Sequence, residues 1–330
     1  MYDVNKIEII TVEATSYCNA RCPQCDRFDL KNNTIVPLKH LSIETIKKIN
    51  KSSFPGLKTL RFEGNCGDIL NHPDALEISQ CFDDIDEVIF VTNASVRNPK
   101  YFEKLAKVKN LKIMFSIDGL EDTNHLYRQN TDFQKIIKNA NAFIAAGGYA
   151  IWKFIIFEHN QHQLEDVKKT AYDLGFKEFT YIHSDRSWYQ GNSWPVYNKN
   201  VYQFDLKPSS YVVENNEKLP SDYTNLTEDL LHKFKNLKLP IKCSWHDTKE
   251  TFIEYNGNVL PCCMLSNDFW NNNGNSKFLF SLLKDKDSIN LNYHTVDEIF
   301  KSDFYVNKLP QSLEKKPMMK CVQYCGKILK

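Results

Sequence analysis

The chain lacks an excess of charge of either sign: 42 Lys and Arg stand against 41 Asp and Glu, a formal net charge of +1. That balance removes the electrostatic reason to expect nucleic acid or an anionic membrane as a partner. No segment approaches the roughly 20 consecutive apolar residues that would span a bilayer. No internal repeat or low-complexity tract interrupts the 330 residues, and 42% hydrophobic content is enough for a substantial buried core. Acidic residues break up the apolar run at the N-terminus and no small-residue cleavage site follows, so no secretory signal is read there. A cytoplasmic protein is expected, whose ten cysteines are thiols or metal ligands rather than a disulfide framework.

What the sequence has is alternation. Short apolar, β-branched runs alternate with helix-like stretches, the pattern of repeated βα units on a parallel sheet. Six strands are predicted, over residues 7–13, 58–63, 87–92, 111–117, 151–157 and 178–183. Ser42 is placed to cap a helix over residues 42–50. Loops leaving the C-terminal ends of such strands converge, and ligand chemistry gathers there. The expected class is α/β, a partial (β/α)6 TIM-like barrel over residues 1–183. Residues 184–240 lose the rhythm and read as a connecting and covering segment, in which Trp188, Tyr189 and Trp194 either line a cavity or simply pack. Residues 241–330 read as a small C-terminal β-hairpin plus helix domain, with strands at residues 251–255 and 258–261 joined at Asn256-Gly257.

Directly after the first strand, Cys18, Cys22 and Cys25 place three thiols within eight residues of loop. Three thiolates can hold a 4Fe-4S cluster and leave one iron open to a non-protein ligand. Zinc completed by a distant Cys or His is an alternative, as are three unrelated thiols. This CxxxCxxC loop, ahead of successive βα units, resembles the radical S-adenosylmethionine superfamily. The resemblance implies that the cofactor's amino and carboxylate groups chelate the open iron. It further implies reductive cleavage to a 5'-deoxyadenosyl radical that abstracts hydrogen from substrate, with an external one-electron reductant such as flavodoxin or ferredoxin. The family usually carries an aromatic residue before the last cysteine, near the adenine; here it is Gln24.

Further motifs fall in the order the resemblance implies. Gly67 and Asp68, in the loop after the second strand, match the positions that receive the cofactor's ammonium, with Ile69 where proline is usual. Ser116 and Asp118 match a Ser-x-Asp that offers polar groups to the ribose, followed by Arg128, and Ile155 on the fifth strand would meet the adenine. Taken singly, these read equally as turns and core residues. Cys66 lies on a loop at the reactive end, either as a hydrogen-atom donor to a substrate radical or as a buried bystander.

Cys243, Gly257, Cys262 and the pair Cys321 and Cys325 resemble the auxiliary-cluster domain called SPASM and its shortened form, twitch. The resemblance implies a second 4Fe-4S cluster held by Cys243, Cys262, Cys321 and Cys325, with Cys263 able to replace Cys262 and structural zinc as the alternative. Such a cluster would take an electron from a substrate radical or relay electrons to the first, giving net oxidation or coupling. Because the barrel starts almost at Met1, a small-molecule substrate such as a sugar or cyclitol is expected ahead of a peptide or protein. A non-catalytic iron-sulfur carrier or zinc-stabilised binding module is the other class.

Overall fold

The computed structural model describes residues 2–184, 193–210, 237–269 and 274–326, so Trp188 and Tyr189 lie outside the described residues. All six expected strands are present: β1 (Ile9–Val12), β2 (Thr59–Phe62), β3 (Glu87–Thr92), β4 (Leu111–Ser116), β5 (Tyr149–Ile156) and β6 (Glu178–His183). Each pairs in parallel with the next, as in Ile10 opposite Leu60, Leu60 opposite Val88, and Phe154 opposite Tyr181.

The intervening helices are α1 (Ile43–Ile46), α2 (Ala75–Ser79), α3 (Pro99–Leu105), α4 (Asn124–Tyr127), α5 (Phe133–Ala145) and α6 (Leu164–Asp173). In α5, Asp132 caps the start by accepting the Lys135 N–H, and Ile136, Asn139, Ala140 and Phe143 recur at helical spacing and are buried. The first helix is shorter than the sequence suggests. Ser42 does cap it, but beyond Ile46 the bonds tighten, with the Lys48 N–H going to the Thr45 carbonyl and the Ile49 N–H to that of Ile46. Asn50 then draws the chain into a turn by accepting the Ser53 N–H at 2.9 Å, which competes with helix continuation.

Alternate strand residues point to opposite faces of the sheet. Leu60, Phe62, Phe90, Phe115, Trp152 and Phe154 are at most 1% exposed. Phe115 meets Phe102 of α3 and Phe143 of α5 with ring centroids 6.0 and 6.1 Å away, so this face packs on the helices. The opposite face carries Arg61, Glu63, Ser116, Lys153 and Ile155 into a cavity. Closed barrels fill that interior with branched apolar side chains. Here it is hollow and carries charged side chains among its lining.

Two hairpins complete the fold. The segment without sequence period contains β7 (Trp194–Asn198) and β8 (Val201–Leu206), a separate antiparallel pair whose Trp194, Val196, Phe204 and Leu206 pack with Ala20, Cys22 and Tyr127. The C-terminal hairpin, β9 (Glu250–Ile253) and β10 (Val259–Leu260), turns at Gly257 with φ 98°, where an added Cβ would sit 2.6 Å from Asn292 Nδ2. This hairpin does not stand apart. β9 runs parallel beside β1, Ile9 opposite Glu250, and the eight-stranded sheet has the order β10-β9-β1-β2-β3-β4-β5-β6. Among the described residues no helix is long and apolar enough to cross a membrane.

Candidate functional site

The loop after β1 brings Cys18, Cys22 and Cys25 to the wall of a cavity of about 420 Å³. Its turns are closed by the Cys25 N–H on the Cys22 carbonyl and the Phe28 N–H on the Cys25 carbonyl. Arg27, 5% exposed, reaches back to donate to the carbonyls of Cys18 and Ala20, which fixes a cation behind the thiols. Each sulfur also has a polar neighbour: Asn93 Nδ2 is 3.6 Å from Cys18, Arg128 Nη1 is 3.7 Å from Cys22, and Cys25 Sγ is 3.5 Å from the Asn65 carbonyl. Burial pushes the Cys18 and Cys22 thiols up, while Arg27, and Arg128 beside Cys22, oppose it. Three thiols, Cys22 buried and Cys18 and Cys25 half-buried, flanked by two guanidiniums form a donor set that suits an anionic iron-sulfur cluster.

The loop after β2 is braced from below. Glu13 Oε1 accepts the N–H groups of Cys66 at 2.6 Å and Gly67 at 3.0 Å. A Cβ on Gly67 would lie 1.5 Å from the Thr15 carbonyl oxygen, so only glycine fits. Cys66 is 2% exposed and lines the cavity with Gly67 and Asp68. Asp68 accepts from the Leu70 N–H, the Thr92 hydroxyl, and both the N–H and Nδ2 of Asn93. Its four acceptor positions are therefore filled within the chain, and an ammonium would reach it only by displacing a donor. Burial raises its carboxyl, and these hydrogen bonds oppose the rise.

At the end of β4 the two matched residues part. Ser116 lines the cavity, but Asp118 is fully buried behind its wall. Asp118 accepts the Ile155 N–H at 2.7 Å and pairs with Arg128 Nε at 2.5 Å. Asp118 thereby ties together Arg128 and the Ile155 N–H, and both residues line the cavity.

Charged groups on the cavity wall went unread in the sequence. Lys153 Nζ lies 2.8 Å from Glu63 Oε1, and Arg61 Nη1 lies 3.8 Å from Glu250 Oε1, which also accepts from Thr11 at 2.8 Å. The signal was available, since Arg61 and Glu63 alternate with Leu60 and Phe62 along β2 and so share the interior face.

Cys243, Cys262, Cys321 and Cys325 line a second cavity of about 190 Å³. Cys263 lines the first cavity instead, so the chain turns these adjacent thiols into different spaces. Tyr2 Oη lies 3.1 Å from Cys243 Sγ, and Ser244 Oγ lies 3.4 Å from Cys325 Sγ. Contact with Cys325 and then burial push Cys243 up, and burial with the neighbouring Cys263 and Cys321 does the same for Cys262. Four thiols in one mostly apolar pocket suit a fully thiolate-ligated cluster. Trp245, Met264, Lys320 and Tyr324 line both cavities and form a shared wall. Trp194 lines the first.

The chain matches the family model of the Radical SAM superfamily over residues 12–172 and that of SPASM, an iron-sulfur cluster-binding domain, over residues 243–326. No curated protein matches the sequence. Among solved structures, SuiB of Streptococcus suis is similar with a TM-score of 0.56 and 14% identity over 90% of this chain. That match covers 66% of SuiB, so this chain spans slightly less than two thirds of its length. Native anSMEcpe with bound AdoMet has a TM-score of 0.55 and 16% identity, with 90% of this chain and 81% of that one covered. At these identities the likeness is one of fold. Together with the cysteine loop and the strand-end loops, the matches identify residues 12–172 as a domain of the Radical SAM superfamily and residues 243–326 as a SPASM iron-sulfur cluster-binding domain, which implies a 4Fe-4S cluster and S-adenosylmethionine.

Proposed function

We propose that the chain removes two electrons from a small polar molecule, such as a sugar or cyclitol, bound against Arg61, Glu63, Lys153 and Glu250. Cys18, Cys22 and Cys25 hold the first cluster. Gly67, Ser116, Arg128 and Ile155 cradle the cofactor, with Asp68 and Asp118 fixing that cradle from behind. The bound cofactor supplies a 5'-deoxyadenosyl radical when an external carrier such as flavodoxin or ferredoxin delivers an electron. A substrate C–H then gives up a hydrogen atom. An adjacent hydroxyl or amine loses a proton, for which Glu63 and Glu250 are acceptors on the cavity wall. Cys243, Cys262, Cys321 and Cys325 would hold an auxiliary cluster, which would supply an acceptor for the remaining electron.

The wall shared by the two cavities, Trp245, Met264, Lys320 and Tyr324, carries this reading, because it brings the second thiol set next to the substrate space. A folded Cys262→Ala, Cys321→Ala variant with its first cluster intact should lose product formation yet retain uncoupled cofactor cleavage. Full turnover in that variant would refute the proposal. A second reading, modification of a peptide, is favoured by solved structures of similar fold that hold peptides, SuiB with its precursor peptide SuiA and anSMEcpe with the Cp18Cys peptide. Formation of 5'-deoxyadenosine above the uncoupled rate, with aminocyclitols and sugars in one arm and peptides in the other, separates the two.

A further inference from the structure

Charge is scarce around the second cavity. Among the described residues that line it beside the four thiols, Lys320 is the single Lys, Arg, Asp or Glu. Lys320 lines the first cavity as well, so its charge belongs to the wall between the two. It stands in the first turn of the helix Met319–Cys325, which also carries Cys321 and Cys325. A cation is disfavoured there, because the N–H groups at a helix start already present positive charge. No acidic residue occupies that turn to offset it.

Nor does a carboxylate reach Lys320 from elsewhere among the described residues, whereas Arg61, Arg128 and Lys153 on the first cavity each pair with one. The half-buried ammonium instead lies 5.8 Å from the ring centroid of Tyr324, one turn further along the helix. The fold therefore keeps an uncompensated cation where its own helix opposes one, beside four thiols in a mostly apolar pocket. A cluster held by four thiolates is anionic, and reduction adds one more negative charge. A fixed cation on the same wall stabilises the reduced form more than the oxidised one, since the attraction grows with the charge it faces. We infer that Lys320 raises the reduction potential of the auxiliary cluster, which makes it a better acceptor for the electron left on the substrate. This rests on the auxiliary cluster proposed above.

The test is a potentiometric titration read by electron paramagnetic resonance. The full chain carries Cys18→Ala, Cys22→Ala and Cys25→Ala, so that after anaerobic reconstitution the auxiliary cluster supplies the signal. In that background Lys320→Met removes the charge at similar length, and Lys320→Arg keeps it. At a fixed potential Lys320→Met should lower the ratio of reduced to oxidised cluster about ten-fold, a shift of about 59 mV for one electron. Lys320→Glu should lower the ratio about a hundred-fold, and Lys320→Arg should stay within about two-fold of lysine. A ratio within about two-fold of lysine for Lys320→Met, or a shift for Lys320→Arg as large as that for Lys320→Met, overturns the inference. If Lys320→Met fails to hold iron, Lys320→Gln is read by the same criteria. A folded background with Lys320 intact that binds no iron would instead refute the auxiliary-cluster assignment.

Discussion

Asp118 illustrates how a motif residue can serve a site it does not touch. The sequence places it beside Ser116 on the strand end, and the alternation of an extended chain puts both on one side. Alternation gives direction but not depth, and Asp118 lies one layer behind Ser116, consumed by Arg128 and the Ile155 backbone. Replacing it with Asn leaves the half-buried Arg128 without its counter-charge. Asp118→Asn is expected to destabilise the fold by about 3 kcal/mol, read from the urea midpoint, and to weaken S-adenosylmethionine binding through a displaced guanidinium. The cysteines of the first loop were legible because their spacing is local. Arg27 was not, because its role depends on folding back onto the Cys18 and Ala20 carbonyls.

Among the elements, six strands could be read because each is a short apolar run between helix-like stretches. The β7–β8 hairpin could not, since its strands mix Trp194, Pro195, Tyr197, Tyr202 and Gln203 without a clean period, and it gains its definition by packing on the cysteine loop. The β9–β10 hairpin announced itself through Asn256-Gly257, but its place beside β1 is a pairing between distant residues that no local pattern records. Its turn offers a test. Gly257→Val forces a β-branched residue to φ 98° and drives a side chain into Asn290 and Asn292. Iron analysis after reconstitution should show about half the iron of the natural protein, with only the auxiliary cluster lost. Loss of all iron would mean that the hairpin and barrel fold as one unit.

Over the whole molecule, stability should carry a pH signature from one buried carboxyl. Glu254, fully buried, accepts from Asn258 at 2.6 Å and Ser266 at 2.9 Å. Burial pushes its carboxyl up to about 8 from an ordinary 4.5; these two donors oppose the shift and the charge on Glu13 adds to it. A raised carboxyl favours the protonated folded state, so its contribution is intact below about pH 4.5 and is lost as pH rises toward 8. The full loss is on the order of 5 kcal/mol by the usual conversion. Glu254→Gln, which cannot ionise, should flatten the decline in unfolding free energy between pH 6 and pH 9, measured by chemical denaturation. An unchanged slope would place the pH dependence elsewhere.

The ladder between β1 and β9 also fixes a distance. The first cysteine loop leaves the C-terminal end of β1, whereas Cys243 approaches from the other end, where the Lys249 carbonyl accepts the N–H groups of Glu8 and Ile9. A strand of four residues at about 3.3 Å each separates the two ends by roughly 13 Å. Backbone hydrogen bonds, rather than a linker, tie the strand that follows Cys243 to the strand that precedes the first cysteine loop. A hinge motion between those two strands would have to unzip β9 from β1.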